Sequence, residues 1–414
     1  MDSSQYDTIA KVERLLEKHP ICNQCLGRQF AFLGTNTTNK QRGISLKLVI
    51  SMYADNEFKR GEKSTGEKLL KMLAENGMHK AAKMLCEKQH ITFNETNECH
   101  LCSVAGESVF DRIPRIVEAV QREVESIEFD SFLVGTSPEP SLAEKNDELR
   151  AQMELLDAET LKSDFNRELG KCIEKAIQKR VEFQLPNVVA FYDMTKDEIE
   201  IQINPVFIYG RYRKLARGIP QSRWDCSPCK GKGCEECDGT GRKYPDSVSE
   251  YIGKTIQDSL NGSKFKVHAA GREDIDVLML GNGRPFVVEI SRPKIRNPNL
   301  DEIMSLVNKS ADGKVEIGNL EFSTRKRFQD LKSDAAENVK EYHAIIKAQF
   351  DITEAQLEVA AEKLTGVVLE QRTPHRVSHR RADLIRGKRV LEAKLTKIDT
   401  NTIDGYFKVQ GGTY

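Results

Sequence analysis

Eight of the ten cysteines in this chain of 414 residues stand in four Cys-x-x-Cys pairs, and no other feature constrains the fold as strongly. The pairs are Cys22/Cys25, Cys99/Cys102, Cys226/Cys229 and Cys234/Cys237. Thiolates at this spacing suit two corners of a tetrahedral zinc site, and two pairs together close the site. We therefore expect two structural zinc ions, one held by the first two pairs and one by the last two.

The remaining cysteines, Cys86 and Cys172, fall on apolar faces of predicted helices, where we expect them in the core. Ten cysteines in a chain of this length do not form the dense framework of a small secreted protein. The sequence opens with a polar-to-amphipathic helix pattern and not a signal peptide, and it has no apolar run of about 18 residues. These features predict a cytoplasmic zinc protein.

Charge is balanced over the whole chain, with 63 basic and 63 acidic residues, which excludes a uniformly basic coat but not a local patch. The segment GRYRKLARGIPQSRW, residues 210–224, is called the basic segment below. Its cations are Arg211, Arg213, Lys214, Arg217 and Arg223, and no acid interrupts them before Asp225. Tyr209, Tyr212 and Trp224 are interleaved with these cations. The mixture predicts phosphate contacts and base stacking, and the alternative is a solvated strand end.

Hydrophobic periodicity predicts an α+β chain in which helical and strand-like runs alternate. Predicted helices cover residues 6–18, 67–88, 112–127, 165–181 and 247–262, and strands cover 130–136 and much of 187–213. Residues 139–164 are expected to form a helical excursion or a mobile loop. After residue 246 the pattern predicts a mixed sheet with helices, including a tight turn at Gly281-Asn282-Gly283 between two strands.

The most informative carboxylate is Asp274, which stands in the sequence GRED between two apolar strands and two residues after Arg272. Tyr342 is predicted on a later strand of the same domain. The chain contains no glycine-rich nucleotide or methyl-donor loop, and no His-x-Glu deaminase motif accompanies a Cys-x-x-Cys pair. With these classes of site excluded, the remaining interpretation is an aspartate nucleophile with an aromatic partner, in a protein that has RNA-binding surfaces.

Three segments carry a resemblance to a known family: residues 269–290, residues 210–224 and residues 371–390 (QRTPHRVSHRRADLIRGKRV). Together they resemble the tRNA pseudouridine synthases of the Pus-ten family in its archaeal form, over essentially the whole chain. The resemblance implies four parts, which are a zinc-binding helical region (1–103), a THUMP-like RNA-binding domain (104–222), a zinc insert (223–245) and a catalytic domain with the pseudouridine synthase fold (246–414).

The same resemblance implies roles for individual residues. Asp274 matches the nucleophile, Arg272 matches a residue that helps to hold the target base flipped out, and Tyr342 matches the aromatic residue that stacks on the uracil. The substrate would be tRNA, with T-arm uridines 54 and 55 as targets, and no organic cofactor would be needed. Arg376, Arg380 and Arg381, in a second basic stretch, join the basic segment as expected RNA contacts.

The family's sequence continues beyond GGTY into a strand with a lysine that is a candidate cationic partner for the nucleophile. This sequence ends at Tyr414, so we expect either a truncated reading frame or a substitute cation, with Arg272 and Arg380 as candidates. If the strand is missing, we expect tRNA binding with poor catalysis.

Two other classes of protein remain open. One is a different THUMP-linked tRNA modifier, such as a thiolation or methylation enzyme, which would need a nucleotide or methyl-donor site. The other is a zinc-dependent RNA-binding or chaperone-like module without catalysis, because CSPCKGKGCEECDGTGR at 226–242 also resembles the zinc repeats of DnaJ chaperones.

Overall fold

The computed structural model describes residues 8–334, 339–373 and 382–413. The chain forms two compact units, Met1–Asn204 and Pro205–Tyr414. Each combines helices with sheets, in agreement with the predicted α+β class. Among the described residues, no helix has both the length and the apolar content that crossing a membrane requires.

The first unit packs its helices and strands around one continuous apolar core that runs from Val12 to Ile201. The helices are α1 (Thr8–Lys18), α2 (Asn23–Arg28), α3 (Asn39–Arg60), α4 (Lys63–Glu75), α5 (Lys80–Lys88), α6 (Ile113–Val124), α7 (Pro140–Gln152) and α8 (Leu161–Ile177). The strands are β1 (Ser103–Val104), β2 (Glu107–Ser108), β3 (Ser131–Ser137), β4 (Arg180–Val181), β5 (Val188–Asp193) and β6 (Glu198–Ile203).

Helix α3 is the longest helix described and was not predicted. An amphipathic helix usually buries its apolar residues, but here Leu48 and Met52 are exposed, while Gly43 and Lys47 are buried. The inward glycine permits a very close approach to α2, since a Cβ built on Gly43 would lie 2.0 Å from the main-chain oxygen of Asn23. The inner face of this helix is therefore formed mainly by small and polar side chains, with Ile50 as its one large apolar residue.

The single helix expected over 67–88 is interrupted between α4 and α5, where Met78 takes a positive φ of 49°. Of the two alternatives predicted for 139–164, the structure has the helical one. Helix α7 begins with Pro140, at a position where the missing amide hydrogen costs nothing.

The sheet of the first unit has the strand order β4-β3-β5-β6. Strand β3 runs parallel to β4 and β5, while β5 and β6 are antiparallel. Buried residues alternate along β3 and β5, as expected for strands that turn one face to helices.

The second unit contains two four-stranded sheets, with strand orders β10-β7-β9-β8 and β11-β14-β13-β12. Its strands are β7 (Val206–Lys214), β8 (Lys264–Ala269), β9 (Met279–Ser291), β10 (Val315–Ser323), β11 (Lys340–Lys347), β12 (Val368–Arg372), β13 (Ile385–Lys397) and β14 (Thr402–Val409). Its helices are α9 (Val248–Ser259), α10 (Leu300–Ser310), α11 (Arg325–Asp334) and α12 (Glu354–Leu364).

Two predictions for the second unit are wrong. Strand β7 is antiparallel to both β9 and β10, so residues 205–222 belong to the second unit and not to a THUMP-like domain that ends at residue 222. Gly281-Asn282-Gly283 is not a turn between strands, because β9 runs through it with an irregular register opposite Tyr212 and Lys214. The rest of the four-part division stays a prediction.

Candidate active site and metal centres

The first cysteine cluster brings together both ends of a segment that is mainly helical. Cys22, Cys25, Cys99 and Cys102 have sulfur atoms within 4.8 Å of one another. Cys22 is the N-cap of α2, and its sulfur accepts a hydrogen bond from the amide of Cys25 at 3.4 Å. The amide of Cys22 in turn donates to the Cys99 sulfur at 3.3 Å. The cluster therefore closes the first unit's helical region on itself, as predicted.

Two fully buried cations lie beside this cluster. Lys47, from α3, donates to the main-chain oxygen of Ile21 and to the side-chain oxygen of Asn23, both at 2.8 Å. Burial lowers the pKa of Lys47 to about 8, and the thiolates of the cluster act in the opposite direction. Arg28 donates to the side-chain oxygen of Asn146 at 2.6 Å. Arg28 also lies 3.8 Å from the fully buried Asp164 carboxylate. The two cations would therefore offset only part of the two negative charges that a zinc ion with four thiolates carries.

The second cluster is built from two short knuckles that pack against each other. Cys226, Cys229, Cys234 and Cys237 also have sulfur atoms within 4.8 Å of one another. The amide of Gly233 donates to the Cys229 sulfur at 3.2 Å, and the amide of Gly241 donates to the Cys237 sulfur at 3.1 Å. Both glycines have positive φ angles of 91° and 67°, a conformation that L-residues rarely adopt. The glycines thus aim amides at sulfur, as the sequence predicted.

The sulfur geometry fits zinc in both clusters. Zn–S bonds of about 2.3 Å in a tetrahedron place sulfur atoms about 3.8 Å apart, whereas a disulfide requires about 2.05 Å. The measured separations are 3.8 Å for Cys22–Cys102 and 3.8 Å for Cys226–Cys234. Cys229–Cys237 is 3.9 Å and Cys234–Cys237 is 3.7 Å. Four sulfur ligands would leave no open coordination position, so such an ion would stabilise the fold and not bind a reacting water.

Asp274 lies in the loop between β8 and β9, here called the Asp274 loop (residues 270–278). Asp274 is half-buried, whereas Arg272 is exposed. The loop begins at Gly271, which has a φ of 84°. A Cβ at this position would lie 2.9 Å from the Arg284 guanidinium, so the glycine is required both by the backbone conformation and by the lack of space.

A buried carboxylate anchors the Asp274 loop from inside the unit. The side chain of Glu273 is 1% exposed, and it lies 3.1 Å from Nε of Arg284. The Tyr212 hydroxyl donates to the same carboxylate at 2.8 Å, and Arg284 also donates to the main-chain oxygen of Ala270 at 2.6 Å. Burial, together with the charge of Glu273, raises the pKa of Tyr212 well above its ordinary value. Tyr212 therefore stays a hydrogen-bond donor and is buried, contrary to the base-stacking role suggested by the sequence.

Lys214 holds the next part of the loop. This lysine is fully buried, and its ammonium donates to the main-chain oxygens of Asp274 at 2.8 Å and Ile275 at 3.1 Å. A third hydrogen bond, of 3.0 Å, goes to the main-chain oxygen of Ile219. The prediction that Lys214 contacts RNA phosphate is therefore wrong, because the charge is inside the protein and all three ammonium hydrogens have acceptors.

The arginines of the basic segment also make contacts within the unit, but none of them is buried. Arg211 donates to the main-chain oxygens of Asn282 and Gly283, and Arg217 donates to that of Asp276. Arg213 pairs with Glu316, and Arg223 pairs with Asp225 at 2.9 Å. Their phosphate contacts stay a prediction. Arg376, Arg380 and Arg381 lie outside the described residues.

Strand β11 brings a second cation to the Asp274 loop. The Lys340 ammonium lies 3.4 Å from the position that a Cβ on Gly271 would occupy. Tyr342 is two residues further along the same strand, and alternate residues of a strand share one face. Tyr342 is 42% exposed, which leaves its ring accessible. The structure thus brings the strand that carries Tyr342 close to the loop that carries Asp274.

Sequence reasoning missed Glu273, Arg284, Lys340 and the real position of Lys214. One signal was available for Lys214. Inward residues alternate along β7 from Val206 and Ile208 to Tyr212, and the same period continues to Lys214. For Glu273, Arg284 and Lys340 no local pattern identifies the contact, because their partners are distant in sequence.

Comparison with known proteins gives two family matches. A model described as "Pus10, C-terminal" matches residues 207–414, and one described as "Pus10 THUMP domain, archaeal" matches residues 116–193. The C-terminal match covers both sheets of the second unit, the cluster of Cys226 to Cys237 and the Asp274 loop. The THUMP match covers β3, α7, α8 and β5 in the first unit.

Similar full-length proteins come from archaea, and each is named tRNA pseudouridine synthase Pus10. The protein of Methanothrix thermoacetophila is 38% identical over 408 residues, which is 99% of this chain and 87% of the relative. That of Methanopyrus kandleri is 36% identical over 98% of this chain and 90% of the relative. A solved Cbf5-Nop10-Gar1 complex matches 40% of this chain and 37% of its own at 18% identity, with a TM-score of 0.25, too low to support an argument.

These matches define an RNA-modifying isomerase with a THUMP segment in one unit and a pseudouridine synthase C-terminal domain in the other. The chain belongs to the Pus10 family of tRNA pseudouridine synthases.

We predict that the purified chain contains two zinc ions, and that Cys99→Ser removes one of them and lowers the melting temperature. Loss of one thiolate opens a closed site whose binding energy contributes to folding. The matched control is Cys172→Ser, outside both clusters. Cys172 is exposed, so the prediction that it lies in the core is wrong. Elemental analysis and thermal unfolding measure both effects, and a wild-type chain without zinc would refute the prediction.

Proposed function

We propose that this chain converts T-arm uridines 54 and 55 of tRNA to pseudouridine in the cytoplasm, with Asp274 as the nucleophile. The observation that carries this proposal is the arrangement around Asp274. An accessible carboxylate stands on a loop whose main chain is fixed by buried residues, and an aromatic residue is carried on the nearby strand β11. Family membership supports the reaction type.

The reaction matches the chemistry that these side chains supply. Isomerisation breaks the bond between the sugar and a ring nitrogen and forms a bond between the sugar and a ring carbon. The ring carbon loses a proton and the ring nitrogen gains one, so no oxidant or group donor is consumed. The Asp274 carboxylate would react with the sugar or the ring. The exposed ring of Tyr342 would stack on the uracil and keep it in place after its bond to the sugar breaks.

The target base must leave its stack, which costs a few kcal/mol. Arg272 is exposed on the Asp274 loop, where it would help to hold the flipped nucleotide. A carboxylate in a closed site needs a nearby cation to stay ionised. Lys340 joins Arg272 as a candidate for that cation, because its ammonium reaches the start of the same loop.

The two cysteine clusters would hold zinc as a structural ion and take no part in the reaction. Each would fix one region of its own unit. In the first unit this is the helical region that packs with the THUMP segment, through Arg28 on Asn146. In the second unit it is the insert that follows the basic segment.

Two other functions would give different results when the chain is incubated with tRNA. Another THUMP-linked modifier would depend on ATP or a methyl donor, and a non-catalytic zinc-dependent RNA-binding module would leave tRNA unchanged. The ordered, accessible Asp274 loop favours the isomerase over the module, since a binding surface would not need a carboxylate at this position.

We predict that Asp274→Asn abolishes pseudouridine formation and changes tRNA affinity by less than about threefold. The amide keeps the size of the side chain but loses the nucleophilic charge. The measurement compares single-turnover rates on unmodified tRNA with binding of the same tRNA. Asp258→Asn, the same change at an exposed position of α9 outside the loop, is the control and should stay active. Turnover by Asp274→Asn above a tenth of the wild-type rate would remove Asp274 from the catalytic role.

We predict that neutralising Arg217 and Arg223 together weakens tRNA binding and reduces its salt dependence. Both are exposed members of the basic segment. Each lost phosphate contact should lower the slope of log K against log salt concentration by about 0.7–0.9. Binding is measured at several salt concentrations for Arg217→Gln/Arg223→Gln and for Lys309→Gln, an exposed lysine of α10 outside the segment. An unchanged slope in the double variant would mean that these arginines make no phosphate contacts.

A further inference from the structure

We propose that Lys214 is a positioning residue for catalysis, which fixes the main chain of Asp274 and does not contact RNA. The inference rests on the proposed role of Asp274. It assigns a function in the reaction to a buried lysine that the sequence placed among RNA-binding cations.

The first support is that the Lys214 ammonium bonds directly to the residue that would react. Its hydrogen bonds to the main-chain oxygens of Asp274 and Ile275 are 2.8 Å and 3.1 Å long. A third bond, to the oxygen of Ile219, ties the ammonium to its own segment. With three donors and three acceptors the group is saturated, so its orientation is determined.

The second support is that the neighbours of Lys214 continue the same contact. The amide of Gly218 donates to the oxygen of Ile275 at 2.9 Å, and Arg217 donates to the oxygen of Asp276. Residues 214–218 therefore bind three consecutive main-chain oxygens, those of residues 274, 275 and 276. A loop held at successive oxygens has little freedom to move its side chains relative to a substrate.

The third support is the position of the charge. Burial lowers the pKa of Lys214, and the carboxylates of Glu273, Asp276 and Asp274 act in the opposite direction. The positive charge thus interacts with Asp274 itself, in addition to fixing its main chain. On the other side of the loop, the Glu273 carboxylate is fixed by Arg284 and Tyr212. The residue before Asp274 and the peptide after it are both anchored, and Asp274 is half-buried between them.

The functional consequence is a separation between binding and turnover. A displaced nucleophile still allows tRNA to bind, because Lys214 touches no solvent. The rate of the chemical step falls, because a displacement of about 1 Å is enough to cost on the order of a hundredfold. Loss of a phosphate contact would have the opposite signature, with weaker binding and a smaller salt slope.

The test is Lys214→Met, which keeps the length of the side chain and removes its charge and donors. We expect kcat to fall by at least about tenfold, with KM, tRNA affinity and the salt slope within about twofold of the wild type. Lys214→Gln can still donate to main-chain oxygens and should give an intermediate kcat. It also keeps the inference testable if the methionine variant does not fold.

The matched control is Lys397→Met. Lys397 also donates to a main-chain oxygen, that of Ile352 at 2.6 Å, in a different part of the second unit. We expect this variant to lose thermal stability but keep its kcat when measured well below its melting temperature. An equal fall in kcat for both lysine variants would show a general structural effect and overturn the inference.

Two other results would also overturn it, namely a kcat within twofold of the wild type for Lys214→Met, or a reduced salt slope. Failure of the underlying proposal is distinguishable, because an active Asp274→Asn would contradict the role of Asp274, whatever Lys214 does. An inactive Asp274→Asn beside a fully active Lys214→Met would contradict only the positioning role.

Discussion

Each unit of this protein contains four cysteine sulfur atoms at separations that suit one tetrahedral metal ion, and that ion would constrain the fold around it. In the first unit, the cluster closes a segment of about 75 residues whose inner helix, α3, buries Gly43 and Lys47 where most helices bury apolar side chains. Its contribution to the apolar core comes mainly from Ile50 and Ala54, so a metal ion in the cysteine cluster, with the cluster's hydrogen bonds, would supply part of what holds the region. In the second unit, the cluster orders a short insert of glycine-rich knuckles that has almost no apolar core.

Buried cations that contact oxygen atoms of the protein recur beside the first cysteine cluster and beneath the Asp274 loop. Lys47 and Arg28 are fully buried beside the first cysteine cluster, and Lys214 and Arg284 play the same part beneath the Asp274 loop. Removing a buried charge from water is costly unless its donors find acceptors, so a lysine with three acceptors, such as Lys214, strongly favours one local structure. In the Asp274 loop, that structure is the one that presents the carboxylate.

The sequence predicted those features that depend on local spacing. The four cysteine pairs, the amphipathic helix at 113–124 and the glycines that aim amides at sulfur were all predictable from residues a few positions apart. Helix α3 was not, since its apolar side chains are exposed. Lys214 was misassigned because a lysine among arginines resembles a surface charge, although the alternation along β7 places it inward. The contacts of Glu273 with Arg284, and of Lys340 with the Asp274 loop, join distant residues and need the fold.

The central claim is that this chain isomerises uridine with its own side chains and consumes no other reactant. The most direct measurement is incubation of the purified chain with an unmodified tRNA transcript in buffer alone, followed by detection of pseudouridine at each position. The account predicts pseudouridine at positions 54 and 55, without ATP, a methyl donor or a reductant. Product that appears only when such a reactant is added, or a transcript that is bound but left unchanged, would contradict it.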